Sequence, residues 1–426
     1  MEQNQRKDLA FNSGSSIWRS VQASLCSEKF MSAELPGKLE SKELDLLSFD
    51  QDGYPIYRRR DNGQMLIRMA LYWIIGGLYF VYGYGGTCKT FVWKTLSAAI
   101  RSQGNIVLNV ASSGIASLLM PGGRTAHSRF AIPIEINDDS TCNIAQGSDL
   151  AELIIKCKLI IWDEAPMMHK HCFEALDRTM RDLLRFENIL SSNMTFGGKA
   201  VVLGGDFRQI LPVIPKGTRQ DIVGANINSS YLWSSCKVLR LTKDLRLQTL
   251  GDVDSCARVE KFAKWITDIG DGEVGVENDG HADIEIPIDN LLQPQGDPIE
   301  AIVKSTFSMF LAGNCDLEYL NGRAILASTL DVVNEINQYM SSLNPVDGRT
   351  YFSSDAVCRS DICTYTFAEL HTPKFLNGLR CSGIPNHSVA LKVGSPVMLL
   401  RNIDHSLGLC NGTRLAITRL TDHICC

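Results

Sequence analysis

Gly83, Tyr84, Gly85, Gly86, Thr87, Cys88, Lys89 and Thr90 follow an apolar run at 78–82 and open the helical pattern FVWKTLSAAI. Glycines so placed let successive backbone N–H groups converge on a phosphate, and the start of a helix adds positive potential at the same spot. The lysine of such a loop reaches the β- and γ-phosphates of a nucleotide, and the hydroxyl after it ligates Mg2+. Gly83, Gly85, Gly86, Thr87, Cys88, Lys89 and Thr90 are therefore the candidate cradle for a nucleotide, with Thr90 the candidate metal ligand. The pattern calls for glycine directly before the lysine, where this chain has Cys88. If that position needs a left-handed backbone, a side chain there costs about 1–2 kcal/mol. A thiol beside a lysine and a helix N-terminus is also expected to be reactive.

A second pair, Asp163 and Glu164, ends the apolar run 159–162. Acids at the end of a buried strand belong at the carboxyl edge of a parallel sheet, where α/β folds bind their ligands. There Asp163 can hold Mg2+ while Glu164 orients and deprotonates a water. Taken alone, an Asp-Glu pair after a strand reads as a helix N-cap. The third set, Gly204, Gly205, Asp206, Phe207, Arg208 and Gln209, again closes an apolar run. A glutamine there can report on the γ-phosphate; by itself it reads as a polar turn. The three sets together, in this order and each ending a strand, are more specific than any one of them.

The elements that must carry these residues are legible in outline. GLYFVYG, NIVLNVA, KLIIWDE, KAVVLGGD and KVLRLT alternate with helical patterns from about residue 76 onward. Short apolar runs of this kind suit strands buried on both faces of a parallel sheet. Between two of them, HCFEALDRTMRDLLRF puts Phe173, Leu176, Met180, Leu183 and Leu184 on one helical face, a core-packing stripe. AILAS at 324–328 followed by a helical VVNEINQYM predicts another βα unit, and LKVGSPVMLLRN and NGTRLAITRL predict a β-rich element. The expected divisions are a loosely ordered segment at 1–64, an α/β domain at 65–245 and a second domain at 246–426.

Composition excludes little beyond the extremes. Of 426 residues, 45% are apolar and 21% charged, which rules out a wholly disordered or fibrous chain. The net charge of −5 does not advertise a nucleic-acid partner, yet it leaves room for a local basic groove. The 14 cysteines include no Cys-x-x-Cys and read as reduced, buried thiols. The uncharged run 69–88 is long enough to span a bilayer, but glycines at 76, 77, 83, 85 and 86 break it, so no membrane segment is expected. The N-terminus shows no secretory signal.

ASSGIAS at 111–117, GGRTAHS at 122–128, IWDEAPMM at 161–168, GGDFRQILPV at 204–213 and LTKDLRL at 241–247 resemble the ordered motifs of superfamily 1B DNA helicases of the petite-integration-frequency type. The resemblance runs from about 77 to 420 and is strongest to the version carried by plant Helitron transposons. DGYPIYRRRDNG at 52–63 also resembles a Helitron stretch that lies well upstream of the helicase. The resemblance implies a RecA-like P-loop NTPase domain with a parallel sheet, then an incomplete second RecA-like domain with an SH3-like, β-rich insertion. It implies ATP-dependent 5′-to-3′ unwinding of DNA, with ATP and Mg2+ as cofactors, and single-stranded and tailed duplex DNA as partners. Roles in repair, recombination and telomere maintenance follow from the same likeness, in the nucleus, with the mitochondrion as the alternative.

Carried over by motif, Lys89 matches the triphosphate lysine, Thr90 and Asp163 the metal ligands, Glu164 the water-activating acid and Gln209 the γ-phosphate sensor. Arg246 matches the arginine that the second RecA-like domain points at the nucleotide; alone it would read as a surface ion-pair residue. Ser112, Ser113, Thr125 and His127 lie in segments that touch single-stranded DNA in the family, although His127 alone reads equally as a packed or capping histidine. Contacts of that kind use hydroxyls and amides that track the backbone, so they tolerate an acidic chain.

The chain departs from the family at Cys88, and at Asp244-Leu245 where Asn-Met is usual. Only Gln64 is a distant candidate for the glutamine that reads adenine. Two further motifs expected after Cys426 do not occur in the sequence as given, so no unwinding is expected from these residues alone. A non-catalytic ATP- or DNA-binding remnant of a transposon is the rival from another class, and a P-loop small-molecule kinase a more distant one.

Overall fold

β-strands form where apolar runs open on glycine or polar turns. The computed structural model describes residues 48–49, 55–56, 76–102, 104–241, 253–274, 283–294, 296–311, 317–354, 372–379 and 386–422. Arg246, Asp244, Leu245, Gln64 and most of 52–63 lie outside the described residues. The chain divides into two compact units, one ending at Asp271 and the other beginning at Gly272. Ahead of the main sheet, β1 (Ser48–Phe49) and β2 (Pro55–Ile56) pair antiparallel.

In the first unit, β3 (Gly77–Tyr82), β4 (Ile106–Ala111), β5 (Arg124–Thr125), β6 (Cys157–Asp163), β7 (Ala200–Gly205) and β8 (Cys236–Arg240) form one six-stranded sheet in the order β5-β4-β6-β7-β3-β8. Every pairing in it is parallel. The five expected runs are all strands; β5, two residues long, is too short to leave a pattern. The helices are α1 (Lys89–Arg101), α2 (Gly114–Leu118), α3 (Ala126–Phe130), α4 (Asp149–Lys156), α5 (Lys170–Leu184), α6 (Arg219–Gly224) and α7 (Val253–Asp271).

Alternate strand residues serve opposite faces. Phe80, Val110, Trp162 and Leu203 join the core that includes Phe173, Leu176 and Met180 of α5. Val81, Val107, Ile161 and Val202 join the core that includes Val92, Trp93 and Leu96 of α1. Both faces are covered, which is why these strands read as continuous apolar runs. The predicted stripe of α5 is buried throughout. The same helix also buries two acids that pin distant segments. Asp177 accepts from Phe196 N–H at 2.5 Å and Tyr231 O–H at 2.8 Å, and Glu174 accepts from Ser230 O–H at 2.6 Å and sits 2.8 Å from His171 Nδ1. Such acids are tolerated in a core only when they are paired.

Gly204 shows how closely the sheet meets α1. A Cβ at Gly204 would overlap the Trp93 ring, whose indole is fully buried. Gly204→Ala is therefore expected to destabilise the protein by about 1–3 kcal/mol, the usual cost of overpacking. Denaturant unfolding of the two proteins checks this; unchanged midpoints would mean that the ring moves aside freely.

The second unit contains α8 (Pro298–Thr306), α9 (Ser308–Leu311), α10 (Leu317–Asn321), α11 (Leu330–Leu343) and α12 (Pro373–Gly378). The helix expected after AILAS is α11, but 324–328 is irregular, because no described strand pairs with it. The β-rich element is two separate antiparallel ribbons, β9 (Gly348–Phe352) with β10 (Ser388–Lys392), and β11 (Pro396–Met398) with β12 (Arg414–Ala416). Arg414 ties the second ribbon to the end of α10 by donating to the carbonyls of Leu320 and Arg323 at 3.0 and 2.8 Å. Within the run 69–88, residues 77–82 are strand, and among the described residues no helix is long and apolar enough to cross a membrane.

Candidate active site

Parallel register brings three chain segments to one edge. Tyr82, the last residue of β3, lies opposite Gly205, the last of β7; in β6, Asp163 lies opposite Ala111 of β4. Gly83, Asp163 and Asp206 therefore emerge side by side. This edge is where the sheet order places β3 between β7 and β8, a reversal of the kind that opens a ligand crevice in α/β sheets.

The loop from Gly83 to Cys88 turns the chain from β3 into α1. A Cβ on Gly83 would strike Thr87 Oγ1, and Gly86 has φ +104°, so both positions need glycine. Thr87 Oγ1 donates to Tyr84 C=O at 2.8 Å. Cys88 sits at φ 61°, ψ 34°, in the left-handed region, and its carbonyl accepts from Phe91 and Val92 N–H at 3.0 and 3.2 Å. Its side chain takes no part in capping, and no acid stands in the first turn of α1. The helix N-terminus is thus arranged for an anion without a competing carboxylate. Buried Lys89 donates from Nζ to Gly83 C=O at 2.5 Å, and Thr90 is half-buried beside it.

Asp163 is buried at 3% exposure, and Glu164 follows it at φ 52°. That left-handed residue turns the chain out of β6 into the short helical turn that follows. Asp163 Oδ1 and Glu164 Oε2 are buried with no hydrogen-bond partner among the described residues. Burial pushes the Asp163 carboxyl up, against the pull of the neighbouring Trp93 indole and the Lys89 charge. The Trp93 N–H faces Asp163 without closing a hydrogen bond of ordinary geometry. Glu164 is also pushed up, first by burial, then by Asp163, with Lys89 opposing and Asp206 adding.

A carboxyl raised on folding favours the folded state while it is protonated, and that contribution is lost as the pH rises through its folded value. At neutral pH the Glu164 charge therefore costs stability. Glu164→Gln is expected to raise the melting temperature at neutral pH, with the gain shrinking as the pH falls through the carboxylate range. A melting temperature that falls at neutral pH would show that Lys89 outweighs burial and Asp163.

The third segment is a tight turn. Buried Asp206 accepts from Arg208 N–H at Oδ1 (3.1 Å) and from Gln209 N–H at its carbonyl (3.1 Å), and the Gln209 side chain is exposed. Ser112 is tied to β6: its N–H donates to Asp163 C=O at 3.1 Å and its Oγ accepts from Trp162 Nε1 at 3.1 Å. Ser113 caps α2, its Oγ accepting from Ala116 N–H at 3.2 Å. Thr125 occupies the N-cap position of α3 without a side-chain capping bond. Half-buried His127 has its ring pushed toward the neutral form by burial. Lys89, Asp163 and Glu164 are thus gathered; Ser112 is anchored to the end of the same strand, and Arg246 lies outside the described residues.

Sequence reasoning named no role for Trp93, Asp206 or Arg208. Asp206 had a readable signal, since it too ends a predicted strand. Trp93 had none, because only the packing of α1 on β7 places it beside Asp163.

The chain is similar to known proteins in sequence and in fold. Residues 374–420 match the DNA helicase Pif1 2B domain. The chain is 24% identical over 338 residues to the ATP-dependent DNA helicase Pif1 of Psychrobacter sp. (strain PRwf-1), covering 78% of this chain and 43% of that protein. It is 30% identical over 176 residues to the ATP-dependent DNA helicase RRM3 of Saccharomyces cerevisiae (40% and 23%), and 27% over 145 residues to the human ATP-dependent DNA helicase PIF1 (34% and 21%). The chain therefore spans less than half the length of these relatives. In fold it is similar to Bacteroides Pif1 bound to single-stranded DNA, with a TM-score of 0.51 at 22% identity, covering 84% of this chain and 69% of that one. A complex of two coordinating Pif1 helicases at forked duplex DNA gives 0.52 at 22% identity, covering 86% and 73%. Residues 66–280, half of the chain and the span that holds the loop, the acid pair and the Gln209 turn, match the PIF1-like helicase family, to which this chain belongs.

Proposed function

We propose that the chain binds and hydrolyses ATP as part of an ATP-dependent DNA helicase that moves 5′-to-3′ along single-stranded DNA and opens tailed duplexes. The observation that carries this reading is the meeting of Lys89, Asp163 and Glu164 at one sheet edge, where two buried carboxylate oxygens have no partner among the described residues. Lys89, released from Gly83 C=O, holds the phosphates together with the loop amides. Glu164 orients the attacking water and takes its proton, and Gln209 reads the terminal phosphate. Arg246 is assigned the nucleotide-facing arginine role.

Among the described residues no three His, Cys, Asp or Glu side chains gather as a metal site. A divalent ion here is one that arrives with the nucleotide, which suits Mg2+, a cation that takes few protein ligands. The partnerless Asp163 Oδ1 fits such an ion, with Thr90 as the second ligand. When bound, Mg2+ offsets the negative charge of the phosphates. Ser112, Ser113, Thr125 and His127 are assigned to single-stranded DNA, His127 as a neutral ring.

The motifs quoted above, together with 52–63, support the Helitron version of the family; its place of work is assigned to the nucleus, with the mitochondrion as the alternative. Cys88 at φ 61° is the observation that favours the rival, a remnant that binds without turnover. ATP hydrolysis measured with and without single-stranded DNA separates the readings. Stimulation by DNA is expected. Silence would favour the remnant, and turnover indifferent to DNA a small-molecule enzyme.

A further inference from the structure

We infer that Arg208 is a positioning residue that holds the Gln209 turn against the phosphate loop through a bidentate pair with Asp271. The inference rests on the proposed ATPase site. The Arg208 guanidinium donates from Nε to Asp271 Oδ1 at 2.6 Å and from Nη2 to Oδ2 at 2.7 Å. Its Cζ lies 5.7 Å from the centre of the Tyr82 ring and 5.6 Å from that of Tyr84. One side chain thus touches the end of β3, the loop that precedes Lys89 and the last residue of α7.

Asp271 stands where Arg208 can meet it because Gly270 has no side chain. A Cβ on Gly270 would come within 2.8 Å of Arg208 Cδ. The guanidinium borders an open cleft of about 1020 Å3 that is lined also by Phe207, Trp233 and Arg240. Arg208 Nη1 is buried with no hydrogen-bond partner among the described residues, so the charge leans on Asp271 and the two rings.

The rest of the turn explains why it needs holding. Phe207 anchors it by stacking on Phe80 at 4.9 Å between ring centres, and Asp206 closes it from within. Gln209 is exposed, and its backbone N–H bond to Asp206 is what fixes its start. Its reach toward a phosphate is therefore set by its neighbours. A lone exposed ion pair would contribute little, but a bidentate arginine over two aromatic rings is the geometry in which such pairs count.

The test uses the full chain with Arg208→Ala, Asp271→Ala, the double variant and the exchanged pair Arg208→Asp with Asp271→Arg. The two single variants and the double are each expected to lower kcat about fivefold, with KM within about twofold, since the lost contact acts on geometry rather than on binding. The two substitutions should not add, and the exchanged pair should recover part of the loss. Amide hydrogen exchange at Gln209 should quicken about fivefold in Asp271→Ala, whether or not ATP is turned over. Additive losses, or Gln209 exchange in Asp271→Ala equal to that of the native chain, would overturn the inference. If the native chain turns over no ATP, the proposed function fails, and the exchange rate alone decides on Arg208.

Discussion

Glu164→Gln is expected to leave nucleotide affinity close to that of the native chain while lowering ATP turnover about 10²–10⁴-fold, the range a positioned general base contributes. Asp163→Ala is expected to do the opposite first, weakening Mg2+-dependent nucleotide binding. The difference lies in the backbone between them. Asp163 is the last residue of β6, buried against Trp93 and Lys89, whereas Glu164 turns at φ 52° and is more open. A left-handed non-glycine residue is strained, and strain of this kind collects at functional sites. Here it falls at the residue after Asp163, where the chain leaves β6. Titrating a fluorescent ATP analogue with and without Mg2+, beside a turnover assay, checks both variants. If Glu164→Gln lost affinity as fully as Asp163→Ala, the division of roles between them would be wrong.

Cys88→Gly is expected to tighten binding of the same analogue about tenfold. Cys88 holds φ 61°, ψ 34°, where a residue with a Cβ is disfavoured by about 1–2 kcal/mol. The loop of the native chain is therefore drawn toward relaxed conformations that do not wrap a phosphate, and apparent affinity falls with the fraction that remains competent. Glycine removes the bias, and about 1.4 kcal/mol is one decade. Phosphate crowding by the side chain would enlarge the gain. Because Cys88 is half-buried at the mouth of the loop, ATP should also protect it from alkylation in the native chain. Affinities equal within about twofold would show that the thiol is tolerated in this loop.

The strain at Cys88 could be framed from the sequence only as a condition. The motif marks the position as one that glycine normally fills; that the backbone there is left-handed is a property of the folded loop. The strands over 77–82, 106–111, 157–163 and 200–205 were legible because both faces of each are buried, so their apolar runs are continuous, whereas 236–240 is a largely exposed edge strand. AILAS carries the same kind of run without a strand, since a run states that a segment is apolar and says nothing of a ladder partner. The stripe on α5 was legible as packing, but nothing in it marks Glu174 and Asp177 as buried, since Ser230, Tyr231 and Phe196 reach them from distant segments.

By itself the sequence determined the residue types and their order: a glycine-rich loop before a lysine and a threonine, two acids after one strand, and a glutamine after another. Helical and strand periods are local, so they survive in a one-dimensional pattern. The tertiary structure alone decided that parallel register puts these three strand ends at one edge, that Glu164 takes a left-handed backbone directly after Asp163, and that burial leaves one carboxylate oxygen of each without a partner among the described residues. It alone brought Asp271 to Arg208 across the gap between the Gln209 turn and the end of α7. Desolvation and pairing depend on which distant segments pack together, and no spacing along the chain records that.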